Sequence, residues 1–100
     1  MHPLPDQTGR TVVVTGTTSG LGLALSTALA RAGARVLMTA RDVTRGRAAV
    51  RGAGGELVLL DLADLGSVRA AAAEIRERTG DRVDVLVNNA GVAMGPRADT

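Results

Sequence analysis

The sequence has no cysteine, tyrosine, phenylalanine or tryptophan, and because all twelve of its strongly basic residues are arginine it has no lysine either. Without cysteine the chain forms no disulfide and offers neither a thiolate nucleophile nor a cysteine ligand for zinc. The single histidine, His2, has no second imidazole to help it hold a metal, so we predict no metal site. Without aromatic rings the core must be aliphatic, and no ring can stack on a cofactor or a base.

Long apolar runs are also missing. Residues 1–10 carry two prolines, an aspartate and no apolar run, so they match neither a signal peptide nor a membrane anchor. We therefore expect a cytoplasmic protein that does not bind membranes, with residues 1–10 as an N-terminal tail. The 100 residues, 45% hydrophobic and 22% charged, are typical of one small globular domain.

Charge of one sign is not in large excess, because the formal net charge is only +2. Four arginines cluster at Arg41, Arg45, Arg47 and Arg51, but no aromatic residues are interleaved with them. We interpret Arg45, Arg47 and Arg51 as the solvated face of a helix, and we expect no nucleic-acid partner.

Short apolar segments alternate with helical patterns along the chain. Strands are predicted over residues 11–15, 36–40, 57–60 and 83–87, which are short, apolar and rich in β-branched residues. Helices are predicted from the glycine-rich stretch 16–22 to Gly33, over residues 43–51 with Asp42 as N-cap and 52–55 as the end, and from Asp64 or Ser67 to Gly80.

This alternation predicts the first half of a Rossmann-type, doubly wound α/β fold. Successive strands joined by helices form a parallel sheet with helices on both faces, and right-handed crossovers favour the strand order 3-2-1-4. Only residues 88–100 follow the fourth strand, which is too short for a further crossover and strand. The fourth strand would be an open edge, available to a partner chain or to a second copy.

Three glycines, Gly16, Gly20 and Gly22, lie between the first predicted strand and the first predicted helix. A strand that enters such a turn presents backbone N–H groups at the positive end of a helix, where a pyrophosphate binds. Glycine lets the main chain approach the phosphates closely. Hydroxyl groups of the same loop can add hydrogen bonds, and these belong to Thr17, Thr18 and Ser19.

Three motifs resemble the short-chain dehydrogenase/reductase family. Its T-G-x-x-x-G-x-G signature stands here over residues 15–22, with Leu21 between the last two glycines. Its N-N-A-G signature stands over residues 88–91, and the acidic residue that closes its third strand stands as Asp61, followed by Leu62. The segments 4–11 and 61–75 look most like the retinol-dehydrogenase-like and light-independent reductase-like branches, which are NADP(H)-linked and act on alcohol or carbonyl groups of lipophilic molecules.

The resemblance implies how these residues meet a dinucleotide. Asp61 would accept a hydrogen bond from the adenine amino group while the Leu62 N–H donates to the ring. Asn88, Ala90 and Gly91 would line the adenosine ribose through the main chain, with one asparagine amide tying neighbouring strands together. From the residues alone, Asp61 could equally cap the turn into the next helix, and asparagine and glycine are ordinary turn residues.

The second predicted strand ends in Ala40 and Arg41. Folds that prefer NAD place a carboxylate here for the ribose 2′-hydroxyl, whereas a 2′-phosphate requires positive charge. Because Ala40 has no carboxylate and arginine matches phosphate, NADP(H) is favoured over NAD(H). The alternative is a surface arginine that pairs with Asp42 or with nothing. The same feature disfavours a methyltransferase, which would have an acidic residue here.

The family resemblance also implies what this chain lacks. Family members use a tyrosine, a lysine four residues later and a serine to move the proton that accompanies hydride transfer. With no tyrosine and no lysine the chain holds no catalytic residues of this kind. We expect residues 1–100 to be an incomplete NAD(P)-binding domain of an alcohol/carbonyl oxidoreductase, inactive without its catalytic half. The alternative is a non-catalytic dinucleotide-binding module or regulatory subunit.

Overall fold

The computed structural model describes residues 5–16 and 20–88. Strands and helices alternate along them, as the sequence predicted. The elements are β1 (Thr11–Val14), α1 (Gly20–Arg31), β2 (Arg35–Ala40), α2 (Val43–Ala53), β3 (Glu56–Leu59), α3 (Leu65–Thr79) and β4 (Val85–Val87).

The strands form one parallel sheet in the order β3-β2-β1-β4, which confirms the predicted fold class and strand order. In the centre of the sheet, Val13 of β1 pairs with Leu37 of β2 on one side and with Leu86 of β4 on the other. The chain passes from β3 to β4 across two strands, and α3 makes that crossover.

Each face of the sheet has its own aliphatic core, because successive side chains of a strand point to opposite faces. On one face the strands contribute Val12, Val14, Val36 and Met38, and these pack with α1 and α2. On the other face Val13, Leu37 and Val58 pack with Ala71 and Ile75 of α3. Both parities of β1 and β2 are therefore buried, which explains why their apolar residues do not alternate with polar ones.

Helix α2 is longer than predicted. The sequence placed its end at Arg51 because Gly52 follows, but the helix continues to Ala53. It ends at Gly54, whose φ of 85° is left-handed and whose N–H donates to the Val50 carbonyl at 2.7 Å. Glycine is a weak helix former but does not by itself end a helix, whereas a left-handed residue does. At the other end of α2, the predicted N-cap Asp42 is confirmed.

Strand β4 begins at Val85 rather than at the predicted Val83. The reason lies at Asp84, whose N–H donates to the Thr11 carbonyl at 2.9 Å and whose carboxylate accepts from the Thr11 N–H at 2.7 Å. A side chain therefore takes the place of a backbone acceptor at the start of this strand pair. Within the described residues β4 has a neighbour on one side only, and Leu86 is 65% exposed.

Asp64, not Ser67, is the N-cap of α3. Its carboxylate accepts from the N–H groups of Gly66 at 2.9 Å and Ser67 at 3.2 Å. The helix ends at Gly80, as predicted.

An ion-pair cluster joins the C-terminal part of α3 to the sheet. Arg35 of β2 donates through Nε and Nη2 to both carboxylate oxygens of Glu56, at 2.6 and 3.0 Å, and through Nη1 to the Arg78 carbonyl at 2.9 Å. The Arg78 guanidinium lies 3.6 Å from Glu56 and also pairs with Glu74. The Arg35 hydrogen bonds lower the pKa of Glu56, and burial opposes them only in part.

We expect the Glu56→Gln variant to have a free energy of unfolding lower by about 0.5 kcal/mol at neutral pH, since the pair is part-exposed and screened by water. The pKa of Glu56 is lower in the folded than in the unfolded chain. Its stabilisation is therefore present above the unfolded pKa and lost as pH falls through the folded pKa. The difference between wild type and variant should therefore shrink as the pH falls below about 4.3, the ordinary pKa of a glutamate, because the shift is downward.

Urea unfolding at a series of pH values measures this difference. Glu77→Gln is the matched control, because Glu77 is an exposed glutamate of α3 that forms no ion pair within the described part of the chain. A Glu56→Gln effect that stays constant across the acidic range would contradict the assigned role.

Candidate functional site

Predicted site residues follow each of the four strands at the carboxyl edge of the sheet, where β1 to β4 end. Gly16 follows β1, Arg41 follows β2, Asp61 follows β3 and Asn88 follows β4. The strands are parallel, so their carboxyl ends lie at the same edge although the residues are far apart in sequence.

The two described residues that flank the turn from β1 into α1 both have a left-handed backbone conformation. Gly16 has a φ of 65° and Gly20 a φ of 62°. A Cβ built on Gly20 meets no described atom within 4 Å, so the main chain at the start of α1 borders open space. Leu21 is exposed and Gly22 is buried. The predicted residues Thr17, Thr18 and Ser19 lie outside the described residues.

Two small residues of α1, Gly22 and Ser26, are buried behind this turn. Ser26 is fully buried, and its hydroxyl donates to the Gly22 carbonyl at 2.8 Å, one helical turn earlier. The hydroxyl is thereby satisfied inside the helix, and a larger residue at Ser26 would displace α1. Sequence reasoning did not assign Ser26 a role; the signal was two small residues four positions apart on the buried face.

A side-chain bond joins the ends of the two neighbouring strands β1 and β4. The Thr15 hydroxyl lies 3.2 Å from the Asn88 amide oxygen and 3.4 Å from the Val87 carbonyl, while the Thr15 N–H donates to that carbonyl at 3.0 Å. A link of this kind is what the family resemblance implies for one asparagine amide. Ala90 and Gly91, which were predicted to line a ribose, lie outside the described residues.

Arg41 is exposed at the end of β2. Its neighbour Asp42 uses the carboxylate to cap α2, accepting from the N–H groups of Thr44 at 2.8 Å and Arg45 at 3.3 Å. No carboxylate among the described residues forms an ion pair with Arg41. The pairing of Arg41 with Asp42, considered from the sequence, is therefore not formed, and no other described carboxylate takes the place of Asp42.

Asp61 caps the turn after β3 through one carboxylate oxygen, and its other oxygen has no partner among the described residues. Its Oδ1 accepts from the Ala63 N–H at 3.0 Å, and its own N–H donates to the Ser67 hydroxyl at 2.9 Å. Among the described residues, nothing donates to Asp61 Oδ2 and nothing accepts from the Leu62 N–H. One acceptor and one donor without a described partner thus belong to consecutive residues, and the turn-capping role of Asp61 is compatible with a ligand contact.

A family model described as short chain dehydrogenase matches residues 10–100 of this sequence. The chain belongs to the short-chain dehydrogenase family. Human retinol dehydrogenase 13 is 40% identical over 92% of this chain and 30% of its own length. A Streptomyces avermitilis 1-deoxy-11-beta-hydroxypentalenate dehydrogenase is 48% identical over 96% of this chain and 35% of its own length.

Solved structures agree with the family assignment. The structure titled "Pseudomonas aeruginosa RhlG/NADP active-site complex" superposes with a TM-score of 0.75 and 31% identity, covering 89% of this chain and 37% of that one. The predicted family and its retinol-dehydrogenase-like branch are confirmed by these likenesses. This short-chain dehydrogenase chain spans about a third of the length of the curated relatives named here.

Among α1, α2 and α3, the helices of the described residues, none combines the length and the apolar content that a bilayer crossing requires.

Proposed function

We propose that this chain is the NADP(H)-binding portion of an oxidoreductase that acts on an alcohol/carbonyl pair. The observation that carries the proposal is the carboxyl edge, where two neighbouring strands are followed by Gly20, whose Cβ position has no described atom within 4 Å, and by Arg41, which no described carboxylate neutralises. Family membership supports dinucleotide binding, and the charge of Arg41 supports the phosphorylated form.

Each part of the dinucleotide has its own set of residues in this proposal. The space beside Gly20 accommodates the pyrophosphate, because that glycine has no Cβ to fill it. Arg41 binds the 2′-phosphate, and Asp61 with the Leu62 N–H binds the adenine edge. The remaining contacts come from the loop and from the end of β4, and these residues are Gly16, Thr17, Thr18, Ser19, Leu21, Gly22, Asn88, Ala90 and Gly91.

The nicotinamide of a bound NADP(H) would give or take the hydride. The chain has no tyrosine and no lysine, so it lacks the pair that handles the accompanying proton in this family. We propose that residues 1–100 bind the dinucleotide without turnover. The names of the relatives, which include a retinol dehydrogenase, support an alcohol or a carbonyl compound as the substrate of the complete enzyme.

A second candidate function starts from β4, which has a strand neighbour on one side only within the described residues and whose Leu86 is 65% exposed. In this candidate the chain is a dinucleotide-binding module or regulatory subunit that performs no chemistry. A partner chain or a second copy would then add to the sheet at the open side of β4.

Titration of the purified chain with NADPH and with NADH tests the proposal. We expect a saturable NADPH site with Kd in the micromolar range, NADH binding at least about tenfold weaker, and no turnover with any alcohol or carbonyl compound. A chain that is folded by circular dichroism but binds neither nucleotide would refute dinucleotide binding. Measurable turnover would refute the absence of a catalytic centre.

A further inference from the structure

One side-chain hydroxyl of α3 accepts a hydrogen bond from the turn between β3 and α3. Ser67 lies in the first turn of α3, and its Oγ accepts from the Asp61 N–H at 2.9 Å. The Asp61 carbonyl accepts from the Asp64 N–H at 3.0 Å, and Asp64 in turn caps the helix. Ser67 is therefore the side chain through which α3 holds the main chain of Asp61.

The position of this bond in the sheet explains why Asp61 needs it. The Leu60 N–H donates to the Ala40 carbonyl at 2.9 Å, which continues the pairing of β3 with β2. Because N–H groups of a strand alternate in direction, the next one, at Asp61, points away from β2. No strand lies on that side, since β3 is an edge of the described sheet. The Ser67 hydroxyl supplies the acceptor that the sheet does not.

Holding the Asp61 N–H fixes the orientation of the groups that follow it. The peptide plane before Asp61 is set by β3 on one side and by Ser67 on the other. The Asp61 carboxylate is set by its bond to the Ala63 N–H at 3.0 Å. Asp61 Oδ2 and the Leu62 N–H, which have no partner among the described residues, are thereby held in a defined relation to each other.

We propose that Ser67 is a positioning residue for adenine recognition. It does not contact the nucleotide; it holds the Asp61 backbone so that the carboxylate acceptor and the Leu62 donor face the adenine edge together. The inference rests on the proposed NADP(H) binding and adds to it the residue that positions the groups that recognise the base. It predicts that removal of the hydroxyl lowers discrimination between bases, and not affinity in general.

The test compares NADPH with its hypoxanthine analogue, in which a carbonyl oxygen replaces the adenine amino group. A carboxylate accepts from the amino group but is repelled by the carbonyl oxygen, so wild type should bind NADPH more tightly than the analogue. In Ser67→Ala we expect this ratio of Kd values to fall about fivefold, towards one, because the Asp61 N–H loses its acceptor and the carboxylate is held less firmly in place. Ser67→Thr, which keeps the hydroxyl, should restore the ratio.

Thr79→Ala is the matched control. Its hydroxyl also lies in α3 and donates to the Ile75 carbonyl at 2.7 Å, but at the far end of the helix. It should leave the ratio unchanged. Circular dichroism verifies the fold of each variant, and if Ser67→Ala is unfolded, Ser67→Cys keeps the size and weakens the acceptor, so its ratio should fall part of the way.

The outcomes distinguish a failure of the role proposed for Ser67 from a failure of the proposed NADP(H) binding. A wild-type chain that fails to bind NADPH refutes the proposed function. If wild type binds NADPH and Ser67→Ala or Ser67→Cys weakens both nucleotides equally, Ser67 is only structural and the inference is wrong. The inference is also wrong if wild type binds NADPH and its analogue equally well, since Asp61 would then not contact the base.

Discussion

Replacing Arg41 with alanine should raise the Kd for NADPH about 10- to 100-fold and leave the Kd for NADH nearly unchanged. A hydrogen bond between a guanidinium and a phosphate is charge-assisted and contributes about 1.5–3 kcal/mol, and each 1.4 kcal/mol is a factor of ten. Only NADPH carries the 2′-phosphate, so only its binding should weaken. The two dissociation constants of the purified variant, measured by titration at fixed ionic strength, give the result.

Arg51→Ala controls for the loss of charge itself. Arg51 is an exposed arginine in the last turn of α2, whereas Arg41 precedes the first turn. Both variants change the net charge equally, but at opposite ends of the helix. The Arg51 variant should therefore keep its preference for NADPH. An unchanged NADPH-to-NADH ratio in Arg41→Ala, or an equal change in both variants, would remove Arg41 from the site.

Replacing Gly20 with alanine should weaken NADPH and NADH alike, by about tenfold or more. The new Cβ would occupy the open space at the start of α1, where the proposal places the pyrophosphate. Displacing the phosphates from even one backbone N–H removes a charge-assisted bond of about 1.5–3 kcal/mol. Both nucleotides contain the pyrophosphate, so the ratio of their Kd values should not change.

Gly80→Ala separates this binding effect from backbone strain. Gly80 has a φ of 64°, close to the 62° of Gly20, and its Cβ position is equally free of described atoms within 4 Å. Each substitution should therefore cost about 1–2 kcal/mol of stability, the usual penalty for a left-handed L-residue. Urea unfolding should show similar losses, while nucleotide titration should show a loss for Gly20→Ala alone. Equal affinities in the two variants would contradict a pyrophosphate site at Gly20.

The strand order was predictable because the pattern of strands and helices leaves few alternatives. Parallel strands need long crossovers, and right-handed crossovers over both faces give the order β3-β2-β1-β4. The location of the site at the carboxyl edge of the sheet was also predictable. Gly16, Arg41 and Asp61 each follow a strand, and the carboxyl ends of parallel strands lie at the same edge.

At Gly46, helix propensity alone missed a role in packing α2 against the sheet. From the sequence it only weakens a helix, whereas in the fold it is buried where α2 crosses the sheet. A Cβ at this residue would lie 2.6 Å from Leu57 Cδ1 and 3.0 Å from Ala40 Cβ. Its absence lets the helix approach the strands closely, and nothing in the neighbouring sequence indicates that contact.

The sequence by itself determined the family, the parallel α/β sheet and the set of residues at its carboxyl edge, because periodicity and motif spacing are properties of the chain alone. Only the tertiary structure decided that Arg41 has no carboxylate partner among the described residues, that the Asp84 carboxylate takes the place of a backbone acceptor at the start of β4, and that Ser67 holds Asp61. These choices depend on which polar groups lack a backbone partner once the strands are paired. A hydrogen bond between residues far apart, such as Asp84 with Thr11, leaves no local pattern in the sequence.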